Sequence, residues 1–423
     1  MASTLRKTAL HASTLTAAVA YTTATALDST TVVVDDVQTS SAAELIGDSA
    51  RLVRVSQATE VASVVSDSTD GKAVSIVVAS SALIKLIPVL RDLAQRKRAV
   101  VLHVAASSAE DVSNVLAVRD SGCAVLRSSS PQQAIDFAVV ATLAAQKLGV
   151  PFIHCFNEAM SPVDVQTYEP VAVQAGFAEF LEKAQEEEAA AQSQGEATHA
   201  AVAEAMELFD SGYLPVAYVG AADASVVYVT FGAELGAEAA GAAGVVQVSL
   251  FRPLSAAAIV EKLPATVNRL VAFEQVTRQP TAWGPLLFDL AAVLHSSEWE
   301  AQGGGKQPIL LDAVSAESPA AFAAAQVAKV TAHAAGLESP AHFNPAELVG
   351  IAERSDEEAP RGSSQGQHGL SQEQQQKRVE QIPYGQLLRD MFKERLNVAN
   401  AAESRTIWGD AGQAASTPEF GFG

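Results

Sequence analysis

Two histidines and two cysteines are the residues most able to do chemistry, and their spacing limits what they can do. His154 and Cys155 are neighbours in PFIHCF, an apolar run that reads as a strand. Consecutive strand residues face opposite sides of a sheet, so this pair cannot act as nucleophile and base. His103 lies in a second apolar run, AVVLHVA, and reads as a satisfied core histidine. Cys123 and Cys155 both sit in apolar strand-like runs and read as small buried hydrophobes. Two thiols exclude a disulfide framework, and an iron–sulfur cluster normally takes about four. The spacings C-x-x-C and H-E-x-x-H do not occur. Glu186, Glu187 and Glu188 read as a solvated helix face, because adjacent helical carboxylates point in different directions. No metal site is expected.

Gly232, Gly236, Gly241 and Gly244 follow the strand-like run SVVYVTF. A glycine-rich turn that opens a helix can cradle phosphate on its backbone N–H groups. The spacing is not G-x-G-x-x-G, and no Gly-Lys-Ser/Thr is present. Close packing of helix on sheet explains these glycines more simply. Gly232 and Gly236 remain the candidate cofactor-binding positions.

The elements that must position these residues follow from periodicity. In residues 31–170, short β-branched runs (TVVVDD, RLVRVS, AVSIVVAS, AVVLHVA, CAVLRS, PFIHCF) alternate with Ala/Leu-rich helical stretches. That alternation predicts an α/β domain on a parallel sheet. Gly149 stops the last helix just before Val150-Pro151 opens a strand. Residues 171–212 read as a connector of solvated helices. A second α/β unit spans 213–335, with strands SVVYVTFG, GVVQVSLFRP, RLVAFEQ and PILLDAV and a flexible Gly303–Gly305 loop. Residues 336–380 read as a polar linker, and 381–423 as an amphipathic helix and coil. Residues 1–30 read as a polar start. Their lack of acids before Asp28 resembles a transit peptide, but the low Arg content favours a frayed terminus and a cytoplasmic location.

The 423 residues carry a formal charge of −20. A field of that sign repels phosphate backbones and anionic lipid, so neither nucleic acid nor a membrane is an expected partner. No run approaches the ~20 apolar residues of a bilayer span.

Residues 99–170 resemble the amino-terminal domain of pyruvate:ferredoxin (flavodoxin) oxidoreductases. The likeness rests on His103-Val104, Asp111 to Leu126, Gln132 to Phe137 and Val150 to Val165. Phe251-Arg252-Pro253-Leu254-Ser255 and Leu263-Pro264-Ala265-Thr266-Val267 are similar to domain II of the same enzymes. The resemblance covers roughly residues 40–320. It implies a degenerate thiamine-diphosphate-binding-type parallel-sheet domain followed by a transketolase-C-terminal-like α/β domain.

In that family a glutamate in a Q-S-E-A-G context protonates the coenzyme's aminopyrimidine. Anchored on Gln57, the catalytic place falls on Thr59, with Glu60 one step off. A one-residue slip on a strand reverses the facing. The substrate-binding arginine of HVSAR becomes Ser107, which cannot hold a carboxylate bidentately. The family's Y-P-I-T-P-S loop maps onto Tyr21-Thr22-Thr23-Ala24-Thr25. The expectation is therefore a framework without catalytic residues, with Glu60 the one candidate.

Tyr384, Leu388, Met391, Phe392 and Pro418 to Gly423 are similar to the hemoprotein (beta) subunit of fungal-type NADPH sulfite reductases. This implies an assembly region that partners a flavoprotein subunit or downstream redox domains in an oligomer. Siroheme, an iron–sulfur cluster and flavin would then lie outside the segment, which holds no cofactor itself. Three alternatives stay open. One is a subunit of a 2-oxoacid:ferredoxin oxidoreductase that uses Glu60 and thiamine diphosphate. Another is a nucleotide-binding module at Gly232–Gly244. The third is a non-enzymatic interaction protein.

Overall fold

The computed structural model describes residues 7–27, 29–34, 52–55, 60–67, 73–106, 112–158, 163–169, 180, 193–209, 211–232, 243–276, 283–302, 307–315, 322 and 324–350. All six strand-like runs of the first unit are strands: β2 (Thr30–Val34), β3 (Leu52–Val55), β4 (Val74–Ala79), β5 (Val100–Ala106), β6 (Ala124–Arg127) and β7 (Phe152–Asn157). They pair in parallel in the order β6-β7-β5-β4-β2-β3. Their near-continuous Val, Ile and Ala runs suit a sheet buried on both faces. Helix α1 (Leu15–Thr25) and a later long helix (Pro131–Leu148) pack into one apolar cluster with the sheet face that carries Val33, Val77, Val101, Leu126 and Phe152. Shorter helices, among them α2 (Val61–Asp67) and α3 (Ile87–Gln95), lie within a second cluster.

The start of the chain corrects the sequence reading. Lys7–Ala12 is a strand, β1, paired antiparallel with β8 (Val163–Tyr168). The expected Tyr21–Thr25 loop is the last part of helix α1, and Thr22 and Thr23 are wholly buried. Thr22 Oγ1 donates to the Ala18 carbonyl and Thr23 Oγ1 to the Ala20 carbonyl, each at 2.9 Å. Hydroxyls satisfied within their own helix pack as apolar surface, so a threonine-rich text forms a core helix.

The long helix α4 (Pro131–Leu148) shows how local signals set element ends. Ser130 accepts from the Gln133 N–H, Pro131 takes the first turn, and Gly149 closes the helix at φ +64°. A Cβ at Gly149 would stand 3.0 Å from the Lys97 carbonyl. Ser130→Ala is expected to cost about 1 kcal/mol in urea unfolding, since one N-terminal N–H loses its acceptor. An unchanged midpoint would mean the cap is dispensable.

The connector is not solvated throughout. Helix α5 (Gln194–Met206) buries Ala201, Val202, Ala205 and Met206, and Glu204 pairs with the nearly buried Lys147 of α4 at 2.7 Å. Glu186–Glu188 lie outside the described residues, as do Gly303–Gly305.

The second sheet has the order β15-β14-β13-β10-β11-β9. Its strands are β9 (Val216–Gly220), β10 (Val226–Phe231), β11 (Gly244–Val248), β13 (Arg269–Gln275), β14 (Ile309–Ser315) and β15 (Ala341–Phe343). Helices α6 (Pro285–Leu294) and α7 (Ala324–Gly336) accompany it. The run GVVQVSLFRP is two strands. After Ser249 the chain leaves the second sheet, and β12 (Leu250–Arg252) joins the edge of the first, antiparallel to β6. The expected linker from 336 begins as ordered chain, because β15 completes the sheet and a short helix, Pro345–Val349, follows. Residues 351–423, with Tyr384, Leu388, Met391, Phe392 and Pro418 to Gly423, lie outside the described residues.

Candidate active site

Six parallel strands place their carboxyl ends on one edge of the first sheet, where ligands of open α/β sheets bind. The strand order reverses between β2 and β4. Glu60 follows β3 at this edge and opens α2, with its side chain exposed. Thr59 and Ser107 lie outside the described residues. Glu60 is in helical chain, so the facing argument for strands does not apply to it. On a helix, one residue turns a side chain by about 100° rather than reversing it.

Sequence reasoning missed three groups at the same edge. Arg127 ends β6, Asn157 ends β7, and Glu158 follows directly. Glu158 takes the N–H of Thr16 at the start of α1 on one carboxylate oxygen, at 3.4 Å, while the other has no described partner. Burial pushes its pKa up to about 7. Only the sequence order N-E after an apolar strand pointed to it.

Arg127 is 2% exposed. Its guanidinium donates to the Phe231 carbonyl at 2.9 Å and the Gln275 side chain at 3.2 Å, and a longer contact reaches Asn157 Oδ1 at 3.5 Å. Two of these partners belong to the second unit, so Arg127 ties the two sheets together beside the β6–β12 pairing. Gly232 serves this tie. Its φ is +62°, and a Cβ there would meet Arg127 Cβ, Cγ and Cδ at 2.6–2.7 Å. Gly232 is thus a close-packing glycine in the described structure. Gly236 and Gly241 lie outside the described residues, and Gly244 begins β11.

His103 and His154 are register partners on β5 and β7, and their Nδ1 atoms are 3.0 Å apart. His154 Nε2 meets Ser128 Oγ at 2.7 Å, and Ser128 Oγ donates to the Gln133 carbonyl. The network assigns the protons. His154 donates from Nε2, accepts at Nδ1 from His103, and leaves His103 Nε2 as a bare acceptor without a described partner. The expected satisfied core histidine is therefore only half satisfied. Burial lowers His103 to about 3, and burial with His103 beside it lowers His154 well below the usual value. Both rings stay neutral at physiological pH. Burial pushes both thiols up to about 11, so Cys123 and Cys155 are inert.

In the second unit, Glu274 and Asp312 hold the start of α6. Glu274 accepts the Leu286 N–H, and Asp312 Oδ2 accepts the Gly284 N–H at 3.3 Å and faces His342 Nδ1 at 3.1 Å. Burial pushes Glu274 up to about 7. Among the described residues no group of three or more His, Cys, Asp or Glu is placed to hold a metal, and no helix is long and apolar enough to cross a membrane.

Residues 55–227 match the family described as pyruvate flavodoxin/ferredoxin oxidoreductase, thiamine diphosphate-binding. The chain carries a pyruvate:ferredoxin oxidoreductase-like domain of the thiamine-diphosphate-binding type. It is 31% identical over 264 residues to the pyruvate:ferredoxin oxidoreductase of Moorella thermoacetica, covering 51% of this chain and 22% of that protein. It is 29% identical over 297 residues to a probable pyruvate-flavodoxin oxidoreductase of Escherichia coli, covering 59% and 25%. The chain thus spans about a quarter of the length of these relatives. Among solved structures, the 2-oxoglutarate:ferredoxin oxidoreductase of Magnetococcus marinus aligns with a TM-score of 0.48 at 14% identity, over 82% of this chain and 64% of that one. Within the oxidoreductase-like domain, the motif that matches Gln132 to Phe137 serves packing. Buried Asp136 accepts from the Tyr168 and Tyr213 hydroxyls and from Gln132.

Proposed function

We propose that the chain forms the first two α/β domains of a 2-oxoacid:ferredoxin or flavodoxin oxidoreductase, and that Glu60 is its acid toward the aminopyrimidine of thiamine diphosphate. The observation that carries this reading is the position of Glu60 at the carboxyl edge of a parallel sheet within a matched thiamine-diphosphate-binding domain. An exposed carboxylate there is placed where it could meet a coenzyme whose diphosphate and metal are held by another domain or chain. When bound, the coenzyme would supply the carbon nucleophile that attacks the 2-oxo group. Glu60 would hold a proton on the ring, and the sheet edge would orient it. Ser107 offers no bidentate grip, so the substrate carboxylate is held by other groups. The test is an assay of the assembly purified through a tag on this chain. With thiamine diphosphate and magnesium it is expected to reduce a low-potential dye in a 2-oxo-acid-dependent way. An assembly that binds no coenzyme at millimolar concentration overturns the reading.

A second reading rests on Tyr384, Leu388, Met391, Phe392 and Pro418 to Gly423, whose pattern is similar to sulfite reductase hemoprotein subunits. On that reading the same two domains are an assembly framework beside siroheme and flavin centres. Sulfite-dependent NADPH oxidation by the assembly, without 2-oxo acid turnover, selects it.

A further inference from the structure

We propose that Arg127 anchors an anion site between the two units, occupied by a single halide-sized anion, chloride under cellular conditions. Arg127 is almost fully buried, and each of its described acceptors is neutral: the Phe231 carbonyl, the Gln275 amide and the Asn157 amide. Its Nε has no described partner. A buried cation without a counter-charge is costly, and proteins normally pair it. The adjacent thiol of Cys155 does not supply the charge, because burial keeps it protonated. Glu274 lines the same space, but it accepts the Leu286 N–H at the start of α6 and burial pushes its pKa up to about 7, so it is at best a partial counter-charge.

The space itself sets the size of the occupant. Arg127, Phe231, Gln275, Leu116 and Leu286 line a narrow cleft with room for roughly one water molecule. A phosphate or a branched carboxylate is too large for such a space, which leaves a monatomic anion as the candidate. The apolar lining removes water from the anion, which strengthens its attraction to the guanidinium.

The probe is bromide. Thermal unfolding of the full chain is followed as bromide replaces gluconate at constant ionic strength, and bromide-soaked crystals are measured at the bromine edge. The expected result is a saturable rise in midpoint and an anomalous peak beside the Arg127 guanidinium. Glu274→Gln keeps an acceptor for Leu286 but removes the negative charge from the cleft. It is expected to lower the half-saturating bromide concentration by about threefold or more. No anomalous density at Arg127, or a linear rise identical in both proteins, overturns the proposal.

Discussion

Between pH 6.5 and 4.5 the stability of the native chain is expected to stay nearly flat, whereas a Glu158→Gln/Glu274→Gln variant loses about 5 kcal/mol over the same interval. Two pairs of buried groups act in opposite directions. The pKa values of His103 and His154 are depressed, so as pH falls below 6.5 the unfolded chain takes up protons that the native chain refuses. Each histidine then costs about 1.4 kcal/mol per pH unit. The two carboxyls are raised from 4.5 to about 7, so the native chain takes up their protons first as pH falls from 7 to 4.5. Each returns a similar amount over that window. Below pH 4.5 the carboxyl contribution is complete, and the histidine loss continues alone down to about pH 3. Glutamine removes the compensating pair and leaves the hydroxyl-linked histidines exposed to view. Urea unfolding at half-unit pH steps measures both proteins. Parallel curves would mean that the carboxyls and histidines are not buried as described.

Gly232→Ala is expected to destabilise the chain by about 2–5 kcal/mol. Two costs add. A side chain at φ +62° occupies the left-handed region, and its Cβ meets three carbons of the Arg127 stem at 2.6–2.7 Å. The contacted atoms are the stem rather than a free tip, so Arg127 cannot yield without losing its bonds to Phe231 and Gln275. Gly212 provides the control, with φ +63° and nothing within 4 Å of a built Cβ. Gly212→Ala is expected to show only the conformational part, about 1–2 kcal/mol. Equal losses at both positions in urea unfolding would show that Arg127 does not lock the two sheets.

The parts that could be read from the text were those whose physics is local. Six β-branched runs became six parallel strands, and Gly149 ended its helix through its own left-handed conformation. The misreadings share a different cause. Thr22 and Thr23 looked polar, but their hydroxyls are consumed by carbonyls of the same turn and by Thr167 and Thr31. The departure of β12 to the other sheet depends on a partner strand more than 120 residues away, which no window of sequence contains. Arg127 was a lone basic residue at a strand end, and its burial arises only when the second unit closes over it. The candidate site divides in the same way. Glu60 was legible as a candidate, but it read as a strand residue, and neither its helical setting nor the two near-neutral carboxyls were legible.

The most direct test of the account concerns the proton that Glu60 is proposed to control. In the purified assembly with thiamine diphosphate and magnesium, exchange of the coenzyme's acidic ring C–H proton with deuterated solvent is followed by NMR after rapid quenching. Glu60→Gln is expected to slow that exchange by about 10²–10⁴-fold while leaving coenzyme occupancy and the unfolding midpoint unchanged. Exchange at the native rate in the variant would show that this carboxylate takes no part, and the assignment of Glu60 would be wrong.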